Sequence, residues 1–84
     1  MKVVLNKNYG GYGCGVEEKF EDLVNKYEKD RFNLELVNFV ENNPEDCGDL
    51  EVVEIPDNYT DYDIQENDGW ETLIYVIDGL IHYA

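Results

Sequence analysis

The chain has 84 residues, 43% of them hydrophobic and 13% aromatic, and a formal charge of -14 from twenty acidic and six basic side chains. That length holds one domain, residues 1–84, whose core buries roughly 60 to 65% of what the unfolded chain exposes, and the apolar content places it with globular chains. The sign of the charge weighs against direct binding of nucleic acid or of an anionic membrane surface.

In chain order, "KVVL" at 2–5 reads as a first β-strand, its β-branched residues suited to a pleated surface. A glycine-rich loop, "NKNYGGYGCG", follows. Val16, Phe20, Leu23, Val24 and Tyr27 then fall on one face of a helix, with Glu17 and Glu18 in its first turn and Lys26 and Lys29 in its last, as the helix dipole favours. Asn33 can cap a second, shorter helix whose inner face is Leu36, Val37 and Val40, and which ends before Pro44. "LEVVEI" (50–55) reads as a strand stopped by Pro56, apolar on both faces as in an interior strand.

Two Asp-Gly pairs, at 68–69 and 78–79, predict hairpin turns between strands at about Tyr62–Glu66, Trp70–Ile77 and Leu80–Tyr83. The last of these is also readable as a helical turn. The expectation is an α+β fold: a small, mostly antiparallel sheet with two helices on one face, in the order strand, helix, helix, strand, strand, strand. Aromatic residues Tyr62, Trp70 and Tyr75 would then sit on the opposite, open face.

The glycine loop offers a first candidate site. Glycines let a ligand approach the backbone, and free N–H groups at a following helix start attract an anion. Lys7, Tyr9, Gly10, Gly11, Tyr12 and Gly13 are the residues that would form it, Lys7 offsetting ligand charge and the tyrosines stacking on a base. The spacing matches neither a P-loop nor GxGxxG, and Glu17 and Glu18 oppose a phosphate, so a strand-to-helix turn is the competing reading.

Charge distribution offers the second. All six basic residues lie within the first 31 positions, where six acids balance them; from Phe32 onward there are fourteen acids and no Lys or Arg. Such a field attracts basic partners, although acidity also serves solubility alone. The candidate protein-binding residues are Asp57, Asp61, Asp63, Glu66, Asp68 and Trp70. Asp61, Asp63, Gln65 and Asp68 approach EF-hand spacing, but Glu66 stands where that loop needs Gly and Thr72 where it needs Glu. No metal, cofactor or enzymatic activity is expected: His82 has no evident nucleophile beside it, and two cysteines with one histidine make no zinc set. Cys14, flanked by glycines beside a helix start, is a candidate reactive thiol, against which stand the two glutamates that follow. The apolar stretch near the start, residues 3–5, is three residues long and unlike a signal peptide, so reduced thiols and a cytoplasmic location are expected.

"MKVVLNKNYGGYG" together with "LEVVEIPDNYTDYDIQENDGWETL" resembles a family of short phage and prophage proteins. These open on a strand leading into a Tyr-Gly-Gly-aromatic loop and close on a "VVEIPD" strand with an acidic Asp-Gly turn. The chain departs from that pattern at Asn8 and Cys14, and its tail "YVIDGLIHYA" replaces a more basic ending. The resemblance implies a phage accessory role in the host cytoplasm, and the lack of an evident catalytic site makes counter-defence by binding the expected type. Two binding mechanisms are compatible with it: an acidic surface that blocks a basic nucleic-acid-binding host protein such as a nuclease, or a sponge that holds a small anionic nucleotide-like signal at the glycine loop. A homo-oligomer is compatible with either.

Overall fold

Strand β1 (Lys2–Asn6) is buried on both faces, and the computed structural model, which describes residues 1–84, is arranged around it. Side chains alternate along a strand, so successive residues enter different cores. Val4 joins Val16, Val24, Leu36, Val37, Val40, Cys47 and Leu50 on one side. On the other, Val3 and Leu5 meet Ile55 and Leu73. β2 (Leu50–Glu54) pairs antiparallel with β1, Val3 opposite Val53 and Leu5 opposite Glu51.

Helices α1 (Glu21–Lys26) and α2 (Leu34–Asn42) supply the first core. The Asn33 side chain caps α2 by accepting from the Glu35 N–H at 2.9 Å. The second core is closed by a separate antiparallel meander of β3 (Asp61–Asn67), β4 (Trp70–Ile77) and β5 (Leu80–Tyr83). The α+β class and the order of elements are those expected, with the final segment a strand. The strands divide into a two-stranded and a three-stranded sheet, giving three layers: helices, β1–β2, then β3–β4–β5.

Both Asp-Gly pairs turn as expected: Asp68 and Gly69 have φ of 53° and 95°, and Asp78 and Gly79 of 52° and 77°, the double positive φ that matches the twist of a two-residue hairpin. Three expectations need correction. The first helix does not begin at Val16: that residue forms a β-bridge with Cys47, and a 3-10 turn at Glu18–Phe20 precedes the six-residue α1. Core pairing there outweighs helical periodicity. β2 is apolar on both faces because it is sandwiched between layers, and β1 is its only strand neighbour. Finally, Tyr62 and Tyr75 face each other across β3 and β4 on the inner side of the meander, Tyr62 packing with Phe32 and Tyr59 while staying exposed as expected, and Tyr75 half-buried. Trp70 alone of the three lies on the outer side.

Candidate functional site

The edge of β1 that faces away from β2 is closed by the Arg31 backbone and the Glu71 side chain where another strand would otherwise pair. The Val4 N–H donates to the Arg31 carbonyl at 2.9 Å, and the Asn6 N–H donates to Glu71 Oε1 at 2.6 Å. Arg31 in turn grips Glu71 through two parallel bonds, Nη1 to Oε1 at 2.7 Å and Nη2 to Oε2 at 2.8 Å. With 7% and 5% of their surfaces exposed, the two form a desolvated fork that ties the helical connection to β4 and completes β1. The guanidinium also lies 3.6 Å from the centre of the Tyr12 ring.

The glycine loop is folded back onto the β3–β4 turn. Asn6, fully buried, donates from Nδ2 to the carbonyls of Gly10 at 2.7 Å and Gly69 at 2.8 Å. A side chain at Gly69 would overlap the Gly10 carbonyl, so the close approach of the two backbones requires glycine there. Lys7 donates to the Glu71 carbonyl at 2.8 Å and lies 5.6 Å from the Trp70 ring, which Tyr9 also meets at 5.5 Å.

Of the six loop candidates, Lys7, Gly10 and Tyr12 are thus committed to internal contacts. Tyr9 is exposed beside Trp70, Gly11 has open space around it, and Gly13 takes φ 83° against Val24. A cleft of about 270 Å³ runs past Gly11, Tyr12, Gly13 and Cys14, and Glu21 lines it too. The Tyr12 hydroxyl is buried without a partner, and that burial pushes its pKa up to about 12 against the opposing pull of the Arg31 charge. The helix after the loop starts only at Glu21, so the loop does not open directly onto a helix end.

The acidic candidates are placed differently. Asp61 and Asp63 project from the outer face of β3, while Glu66 points to its inner side and Asp68 occupies the turn. All four are exposed, and none forms an ion pair. Asp57 contacts the Met1 ammonium. Asp63 and Glu66 border a cleft of about 430 Å³ shared with Glu28, Lys29 and Arg31. Trp70, the first residue of β4, lies on the other side of the hairpin, the outer face that also carries Asp61 and Asp63.

No group of three or more His, Cys, Asp or Glu side chains is placed to hold a metal ion. Cys47 is buried and its thiol pushed up by that burial, Cys14 is exposed, and His82 stacks on Tyr75 at 5.3 Å. No helix is long and apolar enough to cross a membrane. The sequence reading missed the Arg31–Glu71 pair and Asn6. The available signal was alternation: Glu71 shares a face with Leu73 and Tyr75, so it occupies an inward position where a charge demands a partner.

No family model, curated protein or solved structure matches this chain.

Proposed function

We propose that this protein acts by binding and not by catalysis, presenting the carboxylates of β3 and its turn to a basic protein partner. The observation that carries this reading is the state of Asp61, Asp63, Glu66 and Asp68: exposed, unpaired, and fixed on one hairpin by the β3–β4 register. Uncompensated charges on a rigid element accelerate encounter with an opposite field and discriminate among partners. Trp70 with Tyr9 adds an aromatic anchor on the outer face that carries Asp61 and Asp63. The resemblance to short phage proteins supports a counter-defence role in the host cytoplasm, in which the partner is a nucleic-acid-binding host protein and the carboxylates compete for its phosphate-binding surface.

Less supports the sponge reading. The glycines serve backbone packing, Lys7 is already engaged, and Glu21 lines the adjoining cleft.

The test is affinity capture from phage-susceptible bacteria at low salt with the wild type and with Asp61→Lys/Asp63→Lys/Glu66→Lys/Asp68→Lys. A basic nucleic-acid-binding protein should be retained by the wild type, released by about 0.3 M salt, where screening lengths fall to several ångströms, and lost with the variant. Retention of the same partner by the variant would falsify the reading. A small anionic mass retained in native mass spectra, and lost in Gly11→Trp, would replace it with the sponge.

A further inference from the structure

Sheet edges expose unpaired backbone groups, and proteins blunt them with charge, proline or cover. Three of the four edges here are blunted. The outer edge of β1 is closed by Arg31 and Glu71. β2 carries exposed Glu51 and Glu54 and is followed shortly by Pro56. On β3, Asp61 Oδ1 accepts the Tyr62 N–H at 2.9 Å, and acids flank the strand. β5 is the exception. Its sequence Leu-Ile-His-Tyr holds no acid, no lysine and no proline, and Leu80, Ile81 and Tyr83 are 65%, 62% and 69% exposed.

The backbone of β5 fixes which groups are free. Ala84 exchanges two hydrogen bonds with Leu73 of β4, at 3.1 and 2.8 Å. By the alternation of an antiparallel ladder, Leu80 and His82 also turn their N–H and C=O groups toward β4, leaving those of Ile81 and Tyr83 pointing outward.

We propose that this edge pairs with the β5 edge of a second copy of the chain, antiparallel, with His82 on the two-fold axis, to make a continuous six-stranded sheet. In that register Ile81 faces Tyr83 of the other copy, and Tyr83 faces its Ile81, so both free residues on each side exchange their hydrogen bonds. Directly opposed aromatic and β-branched side chains are a favourable cross-strand pair. Leu80 faces the other copy's Ala84 on the inner side. The strand is therefore complementary to itself, as an isologous contact requires.

Charge leaves β5 as the edge along which two copies can meet. A basic partner is drawn to the carboxylates of β2 and β3, whereas β5 is the open edge that carries no carboxylate. Two molecules of charge -14 meet with least repulsion along it, and the pairing leaves both β3 strands at the outer edges of the joined sheet, still free for the partner proposed above.

Sedimentation equilibrium and cysteine cross-linking on the full chain test the proposal. The wild type should show a concentration-dependent mass twice 9.8 kDa, tightening several-fold as salt is raised, because screening relieves the repulsion of like molecules. Ile81→Glu, at an exposed position, should keep the wild-type circular dichroism and melting point while weakening self-association at least about tenfold, since it sets a charge in an apolar pair. In a Cys14→Ser background, His82→Cys should cross-link to itself, its two Cα atoms lying about 4.5 Å apart in a non-hydrogen-bonded pair. A monomeric wild type at several hundred micromolar, an Ile81→Glu variant that still dimerises equally well, or cross-linking at Leu80→Cys in place of His82→Cys overturns it.

Discussion

Tyr12 shows what a single side chain costs this molecule. Its ring is useful, lying under the Arg31 guanidinium, but its buried hydroxyl has no partner. A buried hydroxyl left unsatisfied costs about 1 to 3 kcal/mol, so Tyr12→Phe should raise stability by about 1 kcal/mol in urea unfolding at neutral pH. The pH dependence follows from the same burial. With a folded pKa of about 12 against about 10 in the unfolded chain, the folded state holds the phenolic proton longer. That contribution is complete below pH 10 and is lost as pH rises through 12, a loss that Tyr12→Phe should not show. Glu71 works in the opposite sense. Glu71→Ala would strand the Arg31 charge and leave the Asn6 N–H without its acceptor, and breaking a buried pair this way costs about 3 to 5 kcal/mol; a urea midpoint near zero is the expected readout. Neither residue announced its role locally, because forty positions separate Arg31 from Glu71 and no periodicity spans that distance.

At the scale of elements, legibility followed the range of the forces. Features set by neighbours in sequence were readable: the two Asp-Gly hairpins, the Asn33 cap and the strands they bound. Features set by remote partners were not. Val16 belongs by spacing to a helical face, yet Cys47 draws it into a bridge, and the helix shortens accordingly. The split into two sheets was hidden for the same reason, since β1 and β4 meet face to face through side chains and Glu71 and not through a ladder. As for the candidate sites, the acidic hairpin was visible in composition alone, whereas the glycine loop could be judged only once Gly69 was found against Gly10. That contact makes its own prediction. Gly69→Ala combines a positive φ with backbone overlap and should lower stability by about 3 kcal/mol, while Gly11→Ala, with open space around it, should stay within about 0.5 kcal/mol. Thermal melting of the two variants side by side decides the matter.

Across the whole molecule, which extends 41 by 26 by 19 Å, opposite electrostatic demands fall on different edges of one sheet. Carboxylates concentrate on β3, and β5 is free of them, so the two proposed associations respond to salt with opposite sign: partner binding weakens and self-pairing strengthens. A single salt titration read by both assays separates them. The closure of β1 also carries a consequence for the order in which the fold is assembled as the chain is synthesised. β1 emerges first, but its strand partner begins at Leu50 and the carboxylate that satisfies Asn6 arrives only at residue 71. Val4 can pack early on the helices and bond to Arg31, but Val3 and Leu5, whose core partners are Ile55 and Leu73, must wait until most of the chain has left the ribosome. Late closure between distant segments makes folding slow for the chain's size, and the waiting strand is the segment on which a chaperone would act.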